Sequence, residues 1–161
     1  MNLIVEGIKY QLHAKKRQGI HSPFIYDLVD NGLTSKVSNE HKTILKAFDL
    51  TQQRDTRVIH ITDLGAGSRK LSNQRTIRDI QRISSSGKRY GRLLYLLCYH
   101  YKPLHILELG SSLGRGTLAM HLGHPEAQIT TIEGSAEIAA IARENIKKSA
   151  IKPNNIEIKV S

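Results

Sequence analysis

The sequence predicts an α/β fold in which a mainly helical N-terminal segment precedes a parallel sheet. Two stretches and one asymmetry carry this reading. Residues His105 to Gly116 read His-Ile-Leu-Glu-Leu-Gly-Ser-Ser-Leu-Gly-Arg-Gly, an apolar run ending in an acid and then a glycine-rich turn. The β-branched run Gln128 to Glu133 ends in a second carboxylate, 25 residues after Glu108. The net charge of +10 is uneven: residues 1–100 carry +9 and residues 101–161 only +1.

Taken in order, Ile4, Ile8 and Leu12 recur at helical spacing, with Lys15, Lys16 and Arg17 at the end where cations favour the helix dipole. This predicts an amphipathic helix over residues 3–18, ending near Gly19. His21-Ser22-Pro23-Phe24 restarts the chain: Ser22 caps, Pro23 suits the first helical position, and Asn31-Gly32 stops the helix. A helix from about Ser38 to Gln52 follows, with Ile44, Leu45 and Phe48 on its apolar face.

Val58 to Leu64 reads as a strand that stops at Asp63-Leu64-Gly65-Ala66-Gly67-Ser68. That passage imitates a glycine loop, but Arg69 occupies the third glycine position and no acid-tipped strand follows at the required distance, so it is expected to be a turn. Ile77, Ile80 and Ile83 then recur at helical spacing, with Arg75, Arg78 and Arg82 among them, up to a boundary near Ser86 and Gly87. The spacing of Tyr90, Leu94, Leu97 and Tyr101, widened by Leu93, predicts a helix over residues 88–101 with that stripe as its apolar face, ended by Pro103. Cys98, among leucines, reads as core.

Ile106, Leu107 and Leu109 then form a strand covered on both faces, and Gly110 and Gly114 allow backbone N–H groups to approach a ligand without Cβ interference. Residues 117–122 continue as a helix. Past Glu133, Ser135 caps a helix to about Ser149 whose buried stripe is Ile138, Ile141, Ala142 and Ile146. After the Pro153-Asn154-Asn155 turn, Ile156, Ile158 and Val160 alternate with Glu157 and Lys159 as a last strand.

From Leu104 to about Lys148 the order strand, glycine loop, helix, strand, acid resembles the opening of a class I S-adenosylmethionine-dependent methyltransferase, nearest to the O-methyltransferase-like branch. The resemblance implies a Rossmann-like sheet of which about three parallel strands, in the order 3-2-1, are present. It implies two parts: residues 1–86, basic and mainly helical, and residues 87–161, a truncated S-adenosylmethionine-binding domain. Carried over by position, Glu108 lies near the methionine end of the cofactor, and Gly110, Ser111, Ser112 and Gly114 form the loop beneath it. Glu133 holds the ribose, with Gly134 beside it. Ser112 stands where the stricter pattern has its middle glycine. A nicotinamide site needs Gly-x-Gly-x-x-Gly, which the same serine breaks.

The strands that carry the family's catalytic or metal-binding residues lie beyond this chain's span, so whether the chain is itself an enzyme is left open. The resemblance implies a methyltransferase, or its cofactor-binding N-terminal portion, acting on a small molecule or RNA. A first strand without its outer neighbour exposes an apolar edge, which predicts a second copy, a second chain or further sequence covering it.

The alternatives are a basic nucleic-acid-binding module built on Arg75, Arg78, Arg82, Lys88, Arg89 and Arg92, or a catalytically silent fragment. Against the first stand the few aromatic residues available for base stacking, six Tyr and two Phe, and the lack of a recognised binding motif. No metal site is expected, because His121 and His124 lack a third ligand and read as exposed residues ending a helix. There is no apolar run of about 18 residues and no leader pattern, and the single Cys98 suits a reducing compartment, so a cytoplasmic protein without a membrane span is expected.

Overall fold

A computed structural model of the chain describes residues 22–61, 74–84 and 87–161. The predicted helix over residues 3–18, His21 and the Asp63–Ser68 turn lie outside the described residues. The chain divides into two compact units, Met1–Thr34 and Ser35–Ser161.

In the first unit, helix α1 (Pro23–Asp27) starts as its sequence directs. Ser22 is extended, its Oγ accepts the Ile25 N–H, and Pro23 occupies the first turn. The helix widens into a π turn over Leu28–Gly32 before it stops.

The second unit opens with α2 (Asn39–Gln53), capped by Ser38, whose Oγ accepts the His41 N–H at 3.1 Å. Leu45 and Phe48 are buried as predicted, and so are the polar Asp49 and Gln52. Strand β1 (Val58–His60) pairs antiparallel with β2 (Gln74–Thr76), which runs into α3 (Ile77–Ser84). Arg75 thus belongs to a strand rather than to the helical run. Thr76 switches the chain, because its hydroxyl accepts the Asp79 N–H and donates to the Asp79 carboxylate. Ile77 and Ile80 are buried, whereas Ile83 is exposed.

Helix α4 (Lys88–Tyr101) ends with Lys102 in the left-handed conformation before Pro103. Three parallel strands follow with their crossover helices: β3 (His105–Leu109), α5 (Arg115–Gly123), β4 (Gln128–Glu133), α6 (Ala136–Lys148) and β5 (Ile156–Val160). Their order, β3-β4-β5, is the predicted half of the Rossmann-like sheet. Register runs Glu108↔Thr131 and Thr131↔Ile158, so alternate residues share one face. On that face Ile106, Ile129 and Ile158 join the core with Leu96, Leu118 and Ala142 from the helices. Burying each large aliphatic side chain contributes about 1.5–3 kcal/mol.

Two readings of helix faces are corrected. The buried face of α4 is Gly91, Tyr95, Leu96 and Cys98, while Tyr90 is 68% exposed and Leu93 and Tyr101 are also open. Small residues decide this: a Cβ on Gly123 would lie 2.4 Å from the Tyr95 carbonyl oxygen, and Gly91 leaves room for the Arg115 guanidinium. The face of closest backbone approach wins over the face with more leucines. His121 is likewise buried rather than exposed, because all nine residues of α5 are buried, and burial holds its imidazole below the ordinary histidine pKa. His124 is half-buried.

The opposite sheet face changes character across its width. Leu107 and Leu109 on β3 are 66% and 77% exposed. On β5 the same face carries Glu157 and Lys159, which pair at 3.3 Å.

Candidate functional site

Parallel pairing places the C-terminal ends of β3 and β4 side by side, so Glu108 and Glu133 lie at the same end of the sheet. The loop after β3 folds over that end. Gly110 and Gly114 have φ of 87° and 89°, and Gly110 N–H donates to Ile132 O at 2.7 Å. Ser112, at φ 46°, takes the left-handed backbone that glycine adopts most readily.

Glu133 is the clasp between loop and sheet. Its Oε2 accepts the Ser112 N–H at 2.8 Å and its Oε1 accepts the Ser135 N–H at 3.2 Å. A carboxylate has about four acceptor positions, so capacity for further donors remains. The hydroxyls of Ser111 and Ser112 are buried without hydrogen-bond partners. Beside both Gly110 and Gly134 there is open space where a Cβ would stand. Polar groups without partners and an open backbone at one sheet end fit a polar ligand held along the loop.

Glu108 is half-buried, and its Oε2 accepts the Thr117 hydroxyl at 2.5 Å. Burial pushes its carboxyl pKa up, the Thr117 hydrogen bond opposes that, and the nearby Glu133 charge adds to it. The structure therefore brings together all seven residues singled out in the sequence, Glu108, Gly110, Ser111, Ser112, Gly114, Glu133 and Gly134, around one loop and one sheet end.

Several supports of that loop were not legible in the sequence. Asn145 Nδ2 donates to Leu113 O at 3.1 Å and Gln52 Nε2 makes a longer contact to the same carbonyl at 3.5 Å. Leu113 itself is fully buried among Ile61, Ile77, Ile80 and Ile141. These partners come from α6, α2 and the β1–α3 region, so no local spacing announces them. Thr117 carries no such excuse: a hydroxyl one turn into the helix after the acid-tipped strand is within reach of that acid. Among the described residues, no group of three or more His, Cys, Asp or Glu side chains is placed to hold a metal, and no helix is long and apolar enough to cross a membrane.

No protein-family model and no curated protein sequence matches the chain. Solved structures do. The chain is similar to an S-adenosylhomocysteine-bound methyltransferase of Podospora anserina, with a TM-score of 0.50 at 15% identity over 92% of this chain and 53% of that one. An O-methyltransferase of Bacillus cereus in complex with S-adenosylhomocysteine is matched at a TM-score of 0.45 and 18% identity, over 84% of this chain and 48% of that one. The S-adenosylmethionine-bound O-methyltransferase TomG of Streptomyces achromogenes gives 0.42 and 18%, over 98% and 48%. The chain thus spans about half the length of these methyltransferases, and the Podospora likeness shows that it shares the fold of the corresponding part of one.

Proposed function

We propose that the chain is the cofactor-binding N-terminal half of an S-adenosylmethionine-dependent methyltransferase. One observation carries the reading: Glu133 at the tip of β4 is bonded to the amide of Ser112 in the glycine loop, with Glu108 at the tip of the neighbouring strand. Acid, loop and acid then form one continuous polar edge. Glu133, with acceptor positions to spare, holds the ribose hydroxyls. Gly110, Ser111, Ser112 and Gly114 line the path beneath the cofactor, Gly134 leaves room beside it, and Glu108 faces its methionine end.

When bound, S-adenosylmethionine supplies a methyl group on a cationic sulfonium. The chain's part is orientation: the clasped loop fixes where the donor sits, and alignment of donor and acceptor is a large share of the work in a displacement reaction. The acceptor, in this reading, is a small molecule or RNA. A second copy, a second chain or further sequence covers β3, whose exposed Leu107 and Leu109 mark an unfinished face. Cys98, buried as a free thiol, suits a cytoplasmic setting.

Calorimetric titration with S-adenosylhomocysteine tests the reading. Loss of hydrogen bonds to a charged acceptor costs about 1.5–3 kcal/mol, so Glu133→Ala should weaken binding roughly ten- to a hundredfold. A melting curve checks that the variant is folded. Absence of binding by the wild-type chain, or equal binding by the two proteins, would refute the assignment.

A further inference from the structure

A cavity of about 340 Å³ lies between α2, the first turns of α4 and the start of α5, with neither Glu108 nor Glu133 in its lining. We propose that it binds a small molecule carrying an oxyanion head group, phosphate or carboxylate, on an apolar body. This goes beyond the methyl-donor reading and does not depend on it.

Charge is the first argument. Lys42 and Lys46, four residues apart, project from α2, and Lys88 and Arg92, also four apart, from α4, while Arg115 opens α5. Against these five cations the lining has one carboxylate, Asp49, and that carboxylate already accepts from Arg115 Nε at 2.7 Å. Like charges gathered from three separate elements repel one another, so their convergence on one cavity raises the local concentration of anions.

The second argument is Arg115. Its side chain is 6% exposed, yet Nη1 has no hydrogen-bond partner and lies in the space that Gly91 leaves open. Clamping α5 to α2 accounts for the Nε bond to Asp49. It does not account for three lysines and a second arginine lining the same cavity. The first turn of α4 adds to the field, since Gly87 provides no side-chain cap and no acidic residue follows it.

Shape and lining set the ligand class. Val37, Leu45 and Leu50 give the cavity apolar wall. Its volume is at the low end for small-molecule sites, which begin at about 300 Å³, and is too small to enclose a folded nucleic acid. An apolar body against the leucines with the head group among the cations satisfies both halves.

The test uses the whole 161-residue chain and model ligands in calorimetry: hexyl phosphate, heptanoate, inorganic phosphate and hexanol. Expected are saturable binding of at least one of the two amphiphilic anions, at least tenfold weaker binding of inorganic phosphate, and none of hexanol. The tighter of hexyl phosphate and heptanoate identifies the head group. Lys46→Ala combined with Lys88→Ala, both exposed positions, should lower that affinity at least tenfold without shifting the melting temperature. The proposal is overturned if neither anion binds saturably, if inorganic phosphate or hexanol binds as tightly, or if the double variant keeps wild-type affinity. No arm uses S-adenosylhomocysteine, so failure here and failure of the methyl-donor reading are separate results.

Discussion

Arg115 Nε donates to Asp49 Oδ1 at 2.7 Å, and the two buried side chains pin the start of α5, directly after the glycine loop, to α2. Removing one partner leaves a charge buried and uncompensated. Asp49→Ala should therefore destabilise the chain by about 3–5 kcal/mol. Replacing both residues, Asp49→Leu with Arg115→Met, should recover most of the loss, because apolar packing can substitute for a buried pair. Urea denaturation of the two variants measures both effects. A loss below about 0.5 kcal/mol for Asp49→Ala would mean the pair is solvated in solution.

Gly123→Ala probes the α4–α5 contact. Its Cβ would lie 2.4 Å from a main-chain oxygen of Tyr95, which cannot swing aside as a side chain can. The helices must separate, at a cost of about 1–3 kcal/mol typical of overpacking. A lowered denaturation midpoint with unchanged slope is the expected signature, and wild-type stability would show that α4 and α5 are farther apart.

The raised pKa of Glu108 predicts a pH dependence. Burial makes the native state hold this proton more tightly than the unfolded chain does, so its contribution falls as pH rises from the ordinary glutamate value through the raised one. Glu108→Gln keeps an acceptor for Thr117 and cannot ionise. The difference in melting temperature should therefore move in the variant's favour between pH 4 and pH 7. In the proposed function the same variant loses S-adenosylhomocysteine affinity. A pH-independent difference in melting temperature would remove the argument from burial.

Leu107→Ser with Leu109→Ser tests the open sheet face. Both side chains are already mostly exposed, so stability should change by no more than about 0.5 kcal/mol. Sedimentation velocity should show the wild-type chain self-associating and the variant less so. A strictly monomeric wild type would exclude a second copy as the cover for β3 and leave further sequence or another protein.

The sheet, and the placing of two acids beside a glycine loop at one end of it, were legible because both are written locally. An acid-tipped apolar run, a glycine turn and a second acid-tipped run are contiguous patterns, and a parallel crossover leaves little choice about which strand ends meet. Ser112 stands where the stricter pattern has a glycine and still adopts the left-handed backbone that glycine favours. What escaped was set by contacts distant in sequence. The α4 face depends on Gly123 and Arg115, and His121 is buried because other elements surround α5 on all sides. The β2 strand exists because Val58 supplies a partner for Thr76.

The open sheet face differs in polarity across its width, with exposed leucines on β3 and a charged pair on β5. Charges on an edge strand disfavour pairing, so β3 is the edge better suited to another strand. A copy related by a two-fold axis through that edge would run antiparallel, and its glycine loop would open on the far side of a six-stranded sheet from the first. A strand added in parallel would instead deliver its own carboxyl end, and whatever residues it bears there, next to Glu108. The direction of one hydrogen-bond ladder thus separates an assembly with two remote half-sites from one with a single completed pocket.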